Sequence, residues 1–242
     1  MCERKTRILP RAAGLLYPRR CVMCDRLLER DVSMVCRQCR PEIQFITGPT
    51  CYRCGRPLEH DTDLYCAGCG IHPRLFLGGF APFVYDGPVK EAMIRLKYSH
   101  RAEYAQFFAQ AMYVFGKQFL KQTKPQALIP VPVHRERRIL RGYNQAELLA
   151  EQLSYITGIP VMKDSIRRVK GTAPQKELGI RQRRKNLSGA FQTAGRRKLP
   201  ERILIVDDIF TTGSTADAVT AVLLRAGAQK VYFACAAIAA QK

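Results

Sequence analysis

Long apolar runs are missing from this chain of 242 residues. The longest is Val231–Ala240, about half of the roughly 20 residues that a membrane helix needs. Near the N-terminus, Pro10 and Arg11 interrupt the apolar segment that follows the first basic residues, so the uninterrupted core of a secretory signal peptide is also missing. We therefore predict a cytoplasmic protein without a membrane span.

Acidic residues are scarce: 20 aspartates and glutamates stand against 40 lysines and arginines, and the net charge is +20. Residues 163–202 hold 13 of the basic residues and only 3 acidic ones, which is half of the net charge. Such a block suits a polyanionic partner or a phosphate-bearing ligand, and it equally suits a solvated loop that keeps the protein soluble. Hydrophobic residues make up 47% of the chain, which excludes disorder over most of its length.

Eight of the ten cysteines form four CxxC pairs between positions 21 and 69, and successive pairs repeat every 15 residues. In a reducing compartment such clusters indicate metal binding rather than disulfides. Two CxxC turns together supply the four thiolates of a structural zinc site. Interleaved pairing of the turns, or a redox or iron–sulfur array, fits the same spacing. Sequential pairing predicts one zinc site from Cys21, Cys24, Cys36 and Cys39 and a second from Cys51, Cys54, Cys66 and Cys69.

After about residue 80 the pattern changes to alternating strands and helices. Strands are predicted at 83–85, 127–133, 166–169, 190–193, 202–206 and 230–238, and helices at 89–98, 104–120, 143–155 and 214–226. This alternation is typical of an α/β domain with a mainly parallel sheet and flanking helices. We therefore divide the chain into a lead segment (1–20), a cysteine-rich domain (21–75) and an α/β domain (80–242).

A second candidate site follows the apolar strand that begins at Arg202. This strand delivers Asp207 and Asp208 to its C-terminal end, where α/β sheets bind their ligands. The run Thr211-Thr212-Gly213-Ser214-Thr215 then opens into a helix, whose N-terminus offers N–H groups and a positive dipole end to a phosphate. The carboxylates suit sugar hydroxyls or a Mg²⁺ ion held by pyrophosphate. A P-loop is excluded, because the Gly-Lys-[Ser/Thr] ending is missing.

The acidic pair with Thr-Thr-Gly-Ser-Thr resembles the motif with which type I phosphoribosyltransferases bind 5-phosphoribosyl-1-pyrophosphate (PRPP). Pro130-Val-Pro-Val-His134 and the stretch from Arg141-Gly-Tyr-Asn-Gln to Leu149 resemble the ComF/GntX family, with Tyr143 in place of the usual phenylalanine. The resemblance covers residues 21 to about 238. Further residues fall in that family's order, namely Gln175, Arg181, Arg183, Asn186 and Ala190-Phe191.

The resemblance implies a type I phosphoribosyltransferase fold preceded by a double zinc ribbon. Asp207 and Asp208 would face the ribose hydroxyls of PRPP, partly through Mg²⁺. Residues 211–215 would surround the 5′-phosphate. The pyrophosphate would meet Arg141, in a basic loop from Val133 to Arg141. It would also meet cations of a basic segment at residues 170–186, namely Lys176, Arg181 or Arg183.

The family is associated with natural competence, the import and processing of single-stranded DNA. The resemblance therefore implies single-stranded DNA and DNA-uptake proteins as partners, such as a helicase-like protein encoded in the same operon. Tyr52-Arg53 and Tyr65 offer stacking platforms for bases. The alternative is an active phosphoribosyltransferase that acts on a nitrogenous acceptor. No acceptor-pocket motif and no glutaminase domain is recognisable, so the sequence leaves catalysis open. It favours a PRPP-binding, zinc-stabilised protein of DNA uptake.

Overall fold

The computed structural model describes residues 18–28, 33–169, 189–195 and 198–240. Within these ranges, the helices are α1 (Ala67–Ile71), α2 (Gly87–Tyr98), α3 (Tyr104–Thr123), α4 (Arg135–Arg141), α5 (Gln145–Thr157) and α6 (Ser214–Arg225). The strands are β1 (Gly79–Phe80), β2 (Phe83–Val84), β3 (Ala127–Pro130), β4 (Ile166–Arg168), β5 (Phe191–Thr193), β6 (Arg202–Phe210) and β7 (Lys230–Ile238). In this part of the chain, no helix combines the length and apolar character that crossing a bilayer requires.

The centre of the molecule is a parallel sheet built on β6 and β7. These strands pair from Arg202 opposite Lys230 to Phe210 opposite Ile238. Strand β3 pairs with the other side of β6, and the short β1 and β2 share the outer side of β7. All of these pairs are parallel, whereas β4 and β5 form a separate antiparallel pair. The predicted α/β fold with a mainly parallel sheet is confirmed.

The two faces of the sheet are both covered, which explains why the centre of β6 is apolar without interruption. Ile203 and Ile205 point to the face that holds α6 and the second cysteine cluster. Leu204 and Val206 point to the opposite face, which holds α2, α3, α5 and the first cysteine cluster. Side chains alternate between faces along a strand. The cysteine-rich segment therefore contributes to the core on both sides of the sheet.

Strand β6 is longer than predicted. Its pairing with β7 continues past Val206 to Phe210, so that Asp207 and Asp208 lie inside the paired strand rather than after it. Helix α5 begins at Gln145 instead of Tyr143, because the Asn144 side chain accepts a hydrogen bond from the backbone N–H of Ala146 at 3.1 Å and caps the helix.

The prediction of a basic loop from Val133 to Arg141 is wrong for most of this segment. Residues Arg135–Arg141 form helix α4, since the arginines, Glu136 and Leu140 all favour helix. His134 precedes the helix in an extended conformation, and Gly142 ends it in the left-handed region with φ 79°.

The packing of α3 on β1 predicts a large effect for the smallest possible enlargement of Gly116. A Cβ atom at this buried position would overlap the ring of Phe80. We expect Gly116→Ala to lower the free energy of unfolding by about 1–3 kcal/mol, although alanine is the better helix former. Chemical denaturation measures this change. Gly48→Ala is the control, because a Cβ there would meet no atom within 4 Å. Unchanged or increased stability of Gly116→Ala would contradict the packing described.

Candidate functional site

The eight paired cysteines form two separate clusters, and in each the four Sγ atoms lie within 4.8 Å of one another. The Sγ atoms of Cys24 and Cys36 are 3.9 Å apart, and those of Cys54 and Cys66 are 3.7 Å apart. Four sulfurs bonded at about 2.3 Å to a tetrahedral zinc ion would be separated by roughly 3.8 Å, whereas a disulfide needs about 2.0 Å. Both clusters therefore fit zinc. The first holds Cys21, Cys24, Cys36 and Cys39, and the second holds Cys51, Cys54, Cys66 and Cys69, which is the sequential pairing.

The two clusters repeat the same turn 30 residues apart. The residue after the second cysteine is left-handed in both, Asp25 with φ 61° and Gly55 with φ 75°. In the first cluster this turn docks onto the helical side of the molecule. The carboxylate of Asp25 accepts hydrogen bonds from the Tyr104 hydroxyl and, at 2.9 Å, from Arg101. Arg95 of α2 donates to the carbonyl of Met23 at 2.7 Å.

The acidic pair lies near the C-terminal end of β6, and its two carboxylates have different surroundings. Asp208 forms an ion pair with Lys97 of α2, at 2.9 Å between Oδ2 and Nζ, and both side chains are mostly buried. Asp207 accepts a hydrogen bond from the backbone N–H of Asp208 at 2.8 Å. Because neighbouring residues of a strand point to opposite faces, the Lys97 ammonium serves Asp208 directly and Asp207 only at longer range.

This difference sets the electrostatics of the site. Burial and, next, the charge of Asp208 raise the pKa of Asp207 well above its ordinary value, and the Asp208 backbone N–H and then Lys97 offset this only in part. Burial and a neighbouring like charge both disfavour the charged form of a carboxyl group, whereas a bound cation or a donated hydrogen bond favours it. Asp207 is therefore suited to receive a cation such as Mg²⁺ or to hydrogen-bond a sugar hydroxyl.

The loop after β6 folds tightly beside Asp207. Gly213 is left-handed with φ 77°, and a Cβ there would lie 2.7 Å from the ring of Phe210 and 2.8 Å from Nη1 of Arg74. Only glycine fits this turn. The hydroxyls of Thr212 and Ser214 are 3.0 Å apart, at the start of α6, where the first N–H groups have no acceptor within the helix. Asp207 and residues 211–215 line a common cavity of about 20 Å³.

Four larger clefts lie elsewhere among the described residues. One of about 420 Å³ runs along α6 past Asp217, and one of about 810 Å³ lies beside Lys163. None of the four is lined by the acidic pair. We identify the candidate site by its chemistry, because there Asp207 lines one cavity with the hydroxyl-rich turn and the N-terminus of α6.

Arg141 lies at the end of α4, and its guanidinium is buried. It donates to Oε1 of Gln145 at 2.8 Å and to the hydroxyl of Tyr98 at 3.1 Å, and it lies over the Tyr98 ring at 4.8 Å. Tyr143 donates to the carbonyl of Leu96 at 2.8 Å, a bond that phenylalanine could not form. Both residues thus hold the end of α2, which carries Lys97. The contact of Arg141 with pyrophosphate stays a prediction. Lys176, Arg181 and Arg183 lie outside the described residues.

Two cations near the acidic pair, Lys97 and Arg168, were not predicted from the sequence. Burial, and next the charge of Arg137, lower the pKa of Arg168, whereas Asp207 acts in the opposite direction. Lys97 stands on a helix with other basic residues, so nothing in the sequence separates it from a solvated lysine. Only the packing of α2 beside β6 identifies it.

The geometry of the cysteine clusters predicts two zinc ions per chain. Because each cluster uses its own four thiolates, Cys21→Ser with Cys24→Ser and Cys51→Ser with Cys54→Ser should each retain one zinc. Elemental analysis of the reduced protein measures the metal content. Iron in place of zinc, or loss of both ions from either double variant, would contradict two independent zinc sites.

Comparisons with known proteins agree with this architecture. Residues 12–70 match the family model for the double zinc ribbon domain. The chain is 34% identical over 152 residues to competence protein F of Haemophilus influenzae, and 33% identical over 157 residues to the DNA utilization protein YhgH of Salmonella typhi. These alignments cover 61% and 62% of this chain and 66% and 67% of the relatives, so they span about two thirds of each relative's length.

A longer alignment links the chain to competence protein ComFC of Bacillus subtilis, at 28% identity over 234 residues, covering 89% of this chain and 93% of that protein. A purine phosphoribosyltransferase from Pyrococcus horikoshii matches 53% of this chain and 70% of its own, with 22% identity and a TM-score of 0.35. The double zinc ribbon of this chain and its identity to proteins named for competence and DNA utilization lead to one conclusion: the chain belongs to the ComF family.

Proposed function

We propose that this ComF-family protein binds PRPP together with Mg²⁺ at the C-terminal edge of β6, and that it does so in the uptake or use of DNA. One observation carries the proposal. A single buried strand brings Asp207 and Asp208 to the edge of the sheet and continues through a hydroxyl-rich turn into the N-terminus of α6. Carboxylates for a sugar diol and N–H groups for a phosphate are thereby placed side by side.

The two parts of PRPP, its phosphate and its ribose, would bind to the two parts of the site, the N-terminus of α6 and the carboxylates of β6. The 5′-phosphate would accept hydrogen bonds from the N–H groups and hydroxyls of residues 211–215. The ribose hydroxyls would donate to the carboxylates of Asp207 and Asp208. Mg²⁺ is a hard cation that carboxylate oxygens hold well. It would supply a positive charge opposite the half-buried Asp207 carboxylate. Lys97, which pairs with Asp208, and Arg168, on which Asp207 acts electrostatically, would bring positive charge to the pyrophosphate.

The names of the relatives and the charge of the chain support a role with DNA. Relatives are named for competence and for DNA utilization. The net charge of +20 favours a phosphate backbone. Tyr52 beside Arg53 is 71% exposed, and Tyr65 is 48% exposed. Exposed aromatic rings among arginines suit stacking with unpaired bases, so we propose single-stranded DNA as the second ligand.

The raised pKa of Asp207 gives the PRPP proposal a distinctive test. In the ligand-free protein the charge of Asp207 opposes folding, so Asp207→Asn should leave stability equal or higher. Because the pKa is raised in the folded state, this advantage should grow as pH rises above the ordinary carboxyl range. The same variant should bind PRPP with Mg²⁺ at least about tenfold more weakly, which equals about 1.4 kcal/mol. Thermal unfolding from pH 5 to 8 and titration calorimetry measure the two effects.

Asp164→Asn is the matched control, because Asp164 is an exposed carboxylate outside the site. It should change neither PRPP binding nor the pH dependence. Wild-type affinity in Asp207→Asn would overturn the assignment of the site. Pyrophosphate release in the presence of an amine acceptor would separate an active transferase from a protein that only binds PRPP.

The DNA proposal predicts that affinity for an oligothymidine falls steeply with salt, by a slope of about −0.7 per phosphate contact. Tyr52→Ala should weaken binding by about 1–3 kcal/mol if one base stacks on this ring. Fluorescence anisotropy at several salt concentrations measures both effects. Tyr155→Ala is the control, since Tyr155 is 86% exposed on α5 and lacks neighbouring arginines in sequence. Equal effects of the two substitutions would refute stacking at Tyr52.

A further inference from the structure

The turn of the second cysteine cluster reaches the loop after β6 through Arg56. The backbone N–H of Cys51 donates to the carbonyl of Arg56 at 2.8 Å, which closes the turn. Gly55 lets this turn approach β1, because a Cβ there would lie 2.7 Å from the Gly79 carbonyl oxygen. Arg56 is 8% exposed, and its Nη2 donates to the carbonyl of Thr211 at 2.6 Å. The first residue of the hydroxyl-rich loop is thus held by a residue of the cysteine turn.

Arg74 holds the other end of the same loop. It follows the last cysteine of the second cluster by five residues, and its guanidinium neighbours Cys69. Nη1 forms an ion pair with Asp217 in the first turn of α6 at 3.0 Å, with both side chains largely buried. The backbone N–H of Leu75 donates to the second oxygen of the same carboxylate at 3.0 Å. The space beside Gly213 is filled by this arginine.

Phe210 connects the two contacts. Its ring is 2% exposed, with the guanidinium of Arg56 at 6.0 Å and that of Arg74 at 5.9 Å from its centroid. Phe76 and Phe233 pack against the same ring at 6.2 and 5.2 Å. Arg56 and Arg74, which flank the second cysteine cluster, therefore fix the beginning and the end of the loop around the buried ring of Phe210.

The first cluster makes no equivalent contact with this loop among the described residues. The repeat places Arg26 where the second cluster has Arg56. Arg26 is exposed and donates to the Sγ of Cys24 at 3.4 Å. Its turn docks through Asp25 onto Arg101 and Tyr104 instead. The two copies of one turn thus serve different parts of the molecule.

We infer that the second cluster, when it holds zinc, positions the phosphate-binding loop through Arg56 and Arg74. Metal binding supplies the folding free energy of such cysteine turns. Without zinc, the backbone that carries Arg56 and Arg74 would no longer be held in one position. The ligand would then have to order the loop as it binds, and the entropy cost of that ordering would weaken its affinity. The identity of the ligand rests on the function proposed above, whereas the order of the loop is a property of the free protein.

Arg56→Ala tests the order of the loop separately from the identity of the ligand. Hydrogen exchange of a peptide covering residues 209–217, measured without ligand, should become at least about fivefold faster, and the affinity for PRPP with Mg²⁺ should fall by a similar factor. The zinc content should remain that of the wild type. Arg56→Lys keeps a cationic donor and should recover part of the protection. Arg26→Ala is the matched control: Arg26 holds the equivalent position in the first cluster, is exposed and donates to the Sγ of Cys24 rather than to the loop.

Removing each cluster in turn extends the test to the metal. Cys51→Ser with Cys54→Ser should expose the loop to exchange, whereas Cys21→Ser with Cys24→Ser should affect α2 and α3 and leave the loop protected. Unchanged loop exchange in Arg56→Ala would overturn the inference, whether or not the cysteine variants fold. If wild-type protein fails to bind PRPP but Arg56→Ala still loosens the loop, the inference stands and the ligand assignment falls.

Discussion

The parallel pairing of β6 with β7 is the constraint on which the rest of the structure depends. Because it continues to Phe210, the strand carries two carboxylates into a half-buried position and releases the chain directly into a tight turn. Asp208 is compensated by Lys97, and Asp207 is left with a raised pKa. The sheet thus holds Asp207 where its charged form is disfavoured in the free protein, and a cationic or hydroxyl-bearing ligand would favour that form.

The zinc ribbon is part of this arrangement rather than an appendage. Its two clusters pack on opposite faces of the sheet. The first packs with α2, which carries Lys97, and the second lies beside the loop that begins at Thr211. A segment with few aliphatic residues can serve in this way because thiolate–metal bonds replace hydrophobic burial in holding it together. Each copy of the repeated turn then needs only one or two polar residues, Asp25 or Arg56, to dock.

Much of this could be predicted from the sequence, because it rests on local patterns. The cysteine spacing indicated two zinc sites, and the apolar run before Asp207 indicated a buried strand. The pairing of the cysteine turns needed the structure, since both pairings satisfy the spacing. The helix at Arg135–Arg141 was missed because its charges suggested a ligand loop. Lys97, Arg56 and Arg74 could not be identified, because each acts across more than 100 residues of sequence, and only tertiary packing brings them to the site.

A crystal structure of the protein with PRPP and Mg²⁺ tests the central claim most directly. The account predicts the 5′-phosphate on the N–H groups of residues 211–215, the ribose hydroxyls at Asp207 and Asp208, and Arg56 still bonded to the Thr211 carbonyl. PRPP bound at another surface, or a loop that abandons Arg56 when the ligand enters, would contradict it.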